Sequence, residues 1–489
     1  MAVLAPPISA GSLDESAARP TPIYRLLRAG ARLTLGVFYR RIQVTGLEHL
    51  DEGAPTILAS THPNSIVDPL VVGIFEDRQV TFCARDGLFR VPGFGTILRA
   101  VGAVPIRRRA DHADAPTSSS QANDEAFAEC RAVLARGGVI SIFPEGKTHS
   151  RLRVEPLKTG VARMALDAAA LDVRVVPVGL NYLVREAFRS DVHVAFGPPL
   201  RVRDLQARWA EDPALADDPR AQVRALTEAL GESLRSIAVH VDAREDERLI
   251  AQVTAIVVEL RHDEGLDDAT PAERTALVRR VIDAYHWLGE REPVRCARLR
   301  ERVIHYVEER ARLGFGASGT SLQARSERPG SSGSDRALGR EDRSLFGPIG
   351  LLLGAPIAAY GFAVAIVPWA LLQLILALGR PSRYRVALTK LLGGTSLFLA
   401  NFALLTWLVF QASGTTIAAL FALSLIPTAL FAHRYAIDLR LHRYGVRAGL
   451  RRLRHGRRVA RLQAERRRLT RELGRVREAY LATHPPAPQ

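Results

Sequence analysis

Residues 57–70 read ILASTHPNSIVDPL. Thr56 to Ser60 is a short apolar run of strand type, Pro63 disfavours helix at His62, and Pro69 suits the first position of a helix capped by Asp68. A strand, a histidine-bearing turn and a helix in succession open an α/β layer. His62 and Asp68 are six residues apart, about 600° of rotation at the helical period, so they touch only if the turn between them folds back. If it does, Asp68 fixes the tautomer of His62 and leaves the second ring nitrogen able to take a proton from an alcohol. On these residues alone, a loop histidine and a plain N-cap aspartate remain open.

Outward from this stretch, short β-rich runs alternate with helical patterns from residue 45 to about 203. Candidate strands are Val80 to Ala84, Val139 to Phe143, Arg174 to Val178 and Val192 to Phe196; Asn123 to Ala135 and Val161 to Ala170 read as helices. The polar segment Asp111 to Gln121 reads as a surface loop. The expected fold is a mixed sheet flanked by helices.

Three further segments carry chemistry. Gly102, Ala103, Val104, Pro105, Ile106 and Arg107 place a guanidinium after a short apolar turn, with Arg108 and Arg109 beside it, and Arg suits bidentate phosphate recognition. GGVISIFPEGKTHS, residues 137–150, is a buried strand ending in Phe143, Pro144, Glu145 and Gly146. It imitates a nucleotide-binding loop at Gly146, Lys147 and Thr148. The imitation fails because Ser141 replaces the first glycine, Pro144 removes an amide that would cradle phosphate, and Glu145 would repel it. Glu145 is instead expected to accept a hydroxyl hydrogen bond from a polyol. Val175, Val176, Pro177, Val178 and Gly179 form a strand whose proline implies an edge or a bulge.

Taken in order, HPNSIVD, GAVPIR, FPEG and VVPVG resemble the four motifs of the glycerolipid acyltransferase superfamily, which acylates glycerol phosphate and lysophospholipids. The likeness covers roughly residues 40–205. It implies an α/β acyltransferase domain in which His62 is the base and Asp68 its orienting partner. Arg107 would bind the acceptor phosphate, with Gly102 and Pro105 shaping its turn. Phe143, Pro144, Glu145 and Gly146 would shape the acceptor site, and Pro177 would be structural near the acyl donor. No metal, cofactor or covalent acyl-enzyme is implied; acyl-CoA or acyl carrier protein is a co-substrate. The commoner first motif has four residues between His and Asp, whereas Pro63 to Val67 make five here. That longer form is similar to the subgroup acting on glycerol 3-phosphate or dihydroxyacetone phosphate. A lysophosphatidate acceptor needs the same phosphate-binding arginine and stays open, as does a non-catalytic membrane adaptor using the arginine-rich tail.

The remainder divides by composition. Residues 1–21 read as a flexible N-terminus without a secretory signal, and 22–43 as a basic amphipathic helix suited either to an anionic membrane surface or to its own domain. The catalytic domain is expected over 44–203, an accessory helical region over 204–317, with Thr270, Pro271 and Glu273 as a helix start, and a flexible linker over 318–345. In the membrane region, 346–432, Phe346 to Gly379 is uncharged for 34 residues, Leu391 to Ala412 for 22 and Thr415 to Ala432 for 18. A 34-residue helix is about 50 Å long against a hydrocarbon core of about 30 Å, and Pro356, Gly361 and Pro368 interrupt this one. If it doubles back and the other two segments form a hairpin through Gln411 to Gly414, then Arg380, Arg383, Arg385, Lys390 and the tail all stay cytoplasmic. A single crossing is the alternative.

The formal charge of +16 over 489 residues is concentrated in the tail, 433–489, where sixteen arginines between Arg434 and Glu478 face four acids. Leu462, Leu469, Leu473, Val476 and Tyr480 follow a helical stripe there, which suits membrane-surface binding or a short coiled coil. With aromatics at 6% and the charge so localised, a nucleic-acid surface is not expected. Cys83, Cys130 and Cys296 lie 47 and 166 residues apart and form neither a zinc site nor a disulfide framework. The expected partners are a glycerol phosphate or lysophospholipid acceptor, the acyl donor and anionic membrane lipids. The expected setting is a membrane, with the catalytic domain cytoplasmic.

Overall fold

The computed structural model describes residues 20–50, 53–107, 116–149, 151–185, 187–263, 269–313, 347–379, 386 and 388–485. The N-terminal stretch before residue 20, Arg108, Arg109, residues 111–115 of the expected loop, and the linker 318–345 lie outside them. The chain forms two compact units, the first built on residues up to His240, the second on Val241 onward, with Thr270–Thr275 returning to the first.

The first unit is built on strands β1 (Arg41–Thr45), β2 (Thr56–Ser60), β3 (Val80–Arg85), β4 (Val104–Ile106), β5 (Val139–Ile142), β6 (Arg174–Tyr182), β7 (Asp191–Phe196) and β8 (Leu200–Arg201). Their order is β1-β7-β6-β2-β5-β3-β4, with β8 on β6. From β6 through β4 the strands are parallel, while β7 runs antiparallel to β6. Every residue of β2 is buried, as expected of a central parallel strand covered on both faces. The carboxyl ends of β2, β3, β4, β5 and β6 therefore share one edge of the sheet.

The unit's helices are α1 (Pro22–Phe38), α2 (Val67–Gly73), α3 (Phe94–Ala100), α4 (Pro116–Ala135), α5 (Gly160–Asp167), α6 (Val202–Trp209) and α7 (Pro219–Ile237). Asp218 caps α7 through the amides of Arg220 and Ala221, at 2.8 and 3.0 Å. Leu226, Leu230 and Leu234 of α7, with Val202, Leu205 and Trp209 of α6, join one core with Ile57, Ile140 and Val175.

Several expectations are corrected. The core just described takes α6 and α7, so the break expected at 203 falls inside the sheet unit. Helix α1 stops at Phe38, because Tyr39 is extended and buried and β1 follows it. The pairing of β1 with β7 is non-local, and no local pattern announces it. The stretch expected to be a loop through Gln121 is helical from Pro116, a residue suited to a first turn. Residues 104–106 are a strand rather than a turn. Strand β6 is interior, not an edge. Its Pro177 faces the gap where the chain leaves β7 for β8, and the amide of Gly197 donates to the Pro177 carbonyl at 2.8 Å. The missing proline N–H thus interrupts no ladder.

The second unit contains α8 (Arg244–Asp263), most of α9 (Pro271–Arg291), α10 (Pro293–Arg312), α11 (Pro348–Gly379), α12 (Thr395–Arg454) and α13 (Gly456–Thr483). The capping box at the start of α9 forms: the Glu273 carboxylate accepts from the Thr270 amide at 2.8 Å, and Thr270 Oγ1 from the Glu273 amide at 3.3 Å. The tail stripe is covered within the chain. Leu469 and Val476 of α13 pack with Leu299, Val303 and Tyr306 of α10, Leu462 and Leu473 flank them, and Tyr480 meets the Trp287 ring edge-on. Arg302 of α10 donates to Glu465 at 2.8 Å and also to Glu472.

Residues 348–379 form one continuous helix, so the doubling back expected there is corrected. Neither Pro356 nor Pro368 reverses it. In α12, Gly414 has φ 80° and ψ −179° and breaks the helix. A straight helix would hold Asn401 and Ser424 about 34 Å apart. Asn401 nevertheless donates to the Val364 carbonyl at 2.9 Å, and Ser424 pairs with Tyr360 at 2.7 Å, two positions one turn apart on α11. The bend at Gly414 brings both arms of α12 to the same stretch of α11.

Candidate active site

The three central strands β6, β2 and β5 each deliver one element of the site at their carboxyl ends, where open α/β sheets bind ligands. After β2, the main chain turns through Ser65 at φ 54°, with the Asp68 amide donating to the Ser65 carbonyl at 3.1 Å. This left-handed residue folds the five-residue spacer back. His62 Nδ1 then donates to Asp68 Oδ2 at 2.9 Å. Asp68 is the second residue of α2 and does not cap it, which corrects the N-cap reading.

Asp68 is fully buried, and a buried carboxylate is costly unless its lone pairs are filled. Three donors fill them: His62 Nδ1, the Asn64 amide at 2.7 Å and the Tyr182 hydroxyl at 2.6 Å. With its proton fixed on Nδ1, His62 presents a lone pair on Nε2, which has no hydrogen-bond partner among the described residues. The side chain keeps 14% exposure, enough to meet a substrate. Phe143 stacks on the imidazole at 4.1 Å and 24°, fixing the ring plane.

Glu145 follows β5, and its side chain is fully buried. Its Oε2 accepts from the His62 amide at 3.0 Å and from His149 Nε2 at 3.0 Å, and its Oε1 from the Glu155 amide at 3.1 Å. The expected polyol contact is corrected: both oxygens are engaged by the protein, and the carboxylate holds the main chain of His62. Gly146 closes the turn at φ 68°, its amide donating to the Phe143 carbonyl at 3.0 Å, while the Pro144 carbonyl accepts from Lys158 at 2.7 Å. Among the described residues no helix begins until Gly160, and Lys147 pairs with Glu155 at 3.6 Å, so this is not a phosphate-cradling loop opening a helix.

The remaining site candidates lie apart from the histidine. Gly102 supplies a left-handed turn at φ 70° that ends α3 and leads into β4. Pro105 lies in β4, which among the described residues pairs only with β3 and so tolerates a proline, and Arg107 follows β4 directly. Arg107 shares the carboxyl edge with His62 but stands two strands beyond β5. Pro177 pairs with Ala59, three residues before His62 along β2.

Four functional neighbours were not anticipated. Tyr182 and Arg185 follow from β6 running past Val178, and His149 lies beyond FPEG. The Arg185 guanidinium donates to the carbonyls of Pro63, His149 and Arg151 at 3.3, 3.1 and 3.2 Å, clasping the loops after β2 and β5. Tyr39 accepts from Asn64 Nδ2 at 3.1 Å. Burial first, and then the Asp68 charge, push the Tyr39 and Tyr182 phenols well above their usual range, so both stay protonated. The period-two pattern that continues through Leu180 and Tyr182 was the available signal.

The chain is similar to known acyltransferases. The acyltransferase family model matches residues 41–181. Over 119 residues the chain is 39% identical to glycerol-3-phosphate O-acyltransferase 2 of Saccharomyces cerevisiae, covering 24% of this chain and 15% of that protein. It is 26% identical over 153 residues to the chloroplastic 1-acyl-sn-glycerol-3-phosphate acyltransferase LPAT1 of Arabidopsis thaliana, covering 31% of this chain and 38% of that protein. The crystal structure of the 1-acyl-sn-glycerophosphate acyltransferase PlsC from Thermotoga maritima aligns with a TM-score of 0.32 and 16% identity, over 45% of this chain and 81% of that one. The chain matches 15% of the yeast relative's length and 38% of the plant relative's. The four ordered motifs and the matched family model make residues 41–181 a domain of the glycerolipid acyltransferase superfamily.

Proposed function

We propose that the protein is a membrane-bound O-acyltransferase that moves a fatty acyl group from a thioester to a hydroxyl of glycerol 3-phosphate or dihydroxyacetone phosphate. The observation that carries this reading is the His62–Asp68 pair, with one imidazole nitrogen fixed by a buried carboxylate and the other open. His62 Nε2 takes the acceptor's hydroxyl proton as its oxygen attacks the thioester carbonyl. The new C–O bond forms, the C–S bond breaks, and the imidazolium returns its proton to the departing thiolate. Asp68 stabilises the imidazolium meanwhile. Arg107 is assigned to the acceptor phosphate, for which a planar guanidinium offers two donors.

The activity for which the yeast relative is named supports glycerol 3-phosphate as acceptor, and that of the plant relative supports lysophosphatidate as the second reading. Water-soluble acyl-CoA or acyl carrier protein as donor supports a cytoplasmic catalytic domain. The apolar helices α11 and α12 support attachment to the bilayer into which the amphiphilic product passes. The exposed arginines of α13 support association with anionic lipids. The chemistry needs no cofactor.

Acyl transfer by detergent-solubilised protein, from each donor to the three acceptors, tests the proposal. Transfer to the small phosphates, lost by at least about 10³-fold in His62→Ala, is the expected result. Transfer confined to lysophosphatidate selects the second reading, and activity unchanged in His62→Ala removes the mechanism.

A further inference from the structure

We propose that Tyr182 is a positioning residue for acyl transfer, holding the Asp68 carboxylate so that its second oxygen aligns His62. The proposal rests on the reading of His62 as the base. Its observation is separate: the Tyr182 hydroxyl donates to Asp68 Oδ1 at 2.6 Å, while Oδ2 serves His62 and the Asn64 amide. The two oxygens thus have different duties. Without Tyr182, Oδ1 is left without a donor in a fully buried place, and the carboxylate is free to rotate.

Tyr182 comes from a rigid support. Strand β6 is registered against the His62 turn beyond the end of the β2 ladder, since the Thr61 amide donates to the Val178 carbonyl at 3.0 Å and the Leu180 amide to Thr61 Oγ1 at 3.0 Å. The Tyr39 ring lies 5.9 Å from the Tyr182 ring and limits its movement. The titratable and charged groups facing this carboxylate among the described residues are His62 from the turn after β2, Tyr39 from the end of α1, and Tyr182 and Arg185 from β6 and the loop after it. Because burial keeps the Tyr182 phenol protonated, it donates to the carboxylate and does not compete for the acceptor's proton.

The test measures kcat, KM and the pH profile for the wild type, Tyr182→Phe, Asp68→Asn and the double variant. Tyr182→Phe is expected to lower kcat roughly ten- to a hundredfold with KM nearly unchanged, the size of effect of removing one donor from a buried charged acceptor. The acidic limb of kcat/KM moves to higher pH, because loss of the donor makes the carboxylate easier to protonate and its grip on the imidazolium stronger. In the Asp68→Asn background, Tyr182→Phe changes kcat by less than about twofold, since its effect passes through the carboxylate.

Equal losses in both backgrounds, or an unchanged kcat and profile in Tyr182→Phe, overturn the proposal. Melting temperatures are recorded for all four proteins. Should the phenylalanine variant not fold, difluorotyrosine at position 182 keeps the shape and donates more strongly, and it moves the acidic limb the opposite way; an unmoved limb overturns the proposal. No transfer by the wild type removes the functional reading and this proposal together, whereas normal wild-type transfer with an unaffected Tyr182→Phe removes this proposal alone.

Discussion

Asp191, at the first residue of β7, is 1% exposed and receives Arg40 Nε at 2.9 Å and Arg41 at 3.0 Å. Burial alone would raise its carboxyl, but the hydrogen bonds and charges of Arg40, then Arg41, outweigh it and hold the group below its usual 3.8. A carboxyl depressed by folding stabilises fully above its unfolded value and loses that contribution as pH falls through the lower folded one. Stability should therefore decline below about pH 4, and Asp191→Asn should cost about 2–3 kcal/mol near neutrality while flattening that decline. Thermal melts at pH 3, 4 and 7 check both. The same residue shows what the sequence left unsaid. His62, Asp68 and FPEG were legible because their motifs are contiguous, and even the need for the spacer to fold back followed from its length. That Glu145 holds the His62 amide and that Tyr182 completes the carboxylate's donors depend on partners 83 and 114 residues away in sequence, and the left-handed backbone at Ser65 is a conformation its residue type does not announce.

Among elements, the buried central strands were legible because each is a short apolar run with its own boundaries. Strand β1 and the outer end of β6 were not, since their hydrogen-bond partners are distant segments. Helix α1 was half legible. Its basic residues suggested an interfacial face, yet Arg28 donates to the carbonyl of Glu76 at 2.7 Å and Arg32 to that of Ile74 at 2.7 Å, against the body of the unit. Ile23, Leu26 and Leu33 remain exposed. In α11, the neighbouring arm comes close at Gly361: a β-carbon there would lie 2.2 Å from the Thr428 carbonyl oxygen. Such close approach through a small residue is how helices pack in lipid. Gly361→Leu should force α11 and α12 apart and cost about 1–3 kcal/mol, read as a lower melting temperature in detergent. Gly30→Leu on α1, which has open space around it, provides the comparison.

For the whole molecule, the apolar stretches announced a membrane region, but whether each doubled back depended on backbone geometry at single residues, which hydropathy does not encode. Both ends of the α12 region are basic, with Arg383, Arg385 and Lys390 before it and the arginine-rich tail after it, and the break at Gly414 falls between them. The positive-inside rule puts both ends in the cytoplasm and Gly414 outside. With α11 one continuous helix, a crossing by it would then set the residues before Pro348 outside, whereas a cytoplasmic catalytic unit with α11 as a crossing sets Ser382 outside. Single cysteines introduced at Ser382, Gly414 and His455 in a chain lacking its native cysteines decide between the two: an impermeant reagent added outside intact cells labels only position 414 under the first arrangement, and position 382 under the second.

The pairing of β1 with β7 also governs the order of events at the ribosome. Residues 41–45 wait for residues 191–195 before their ladder can form, so Arg40 and Arg41 spend that interval without Asp191. Another 152 residues separate Phe196 from Pro348, the start of the first apolar helix. At about 5–20 residues per second, that gap is roughly 8–30 s of synthesis. The sheet can close, and shield its apolar strands, before any greasy segment emerges to call for insertion.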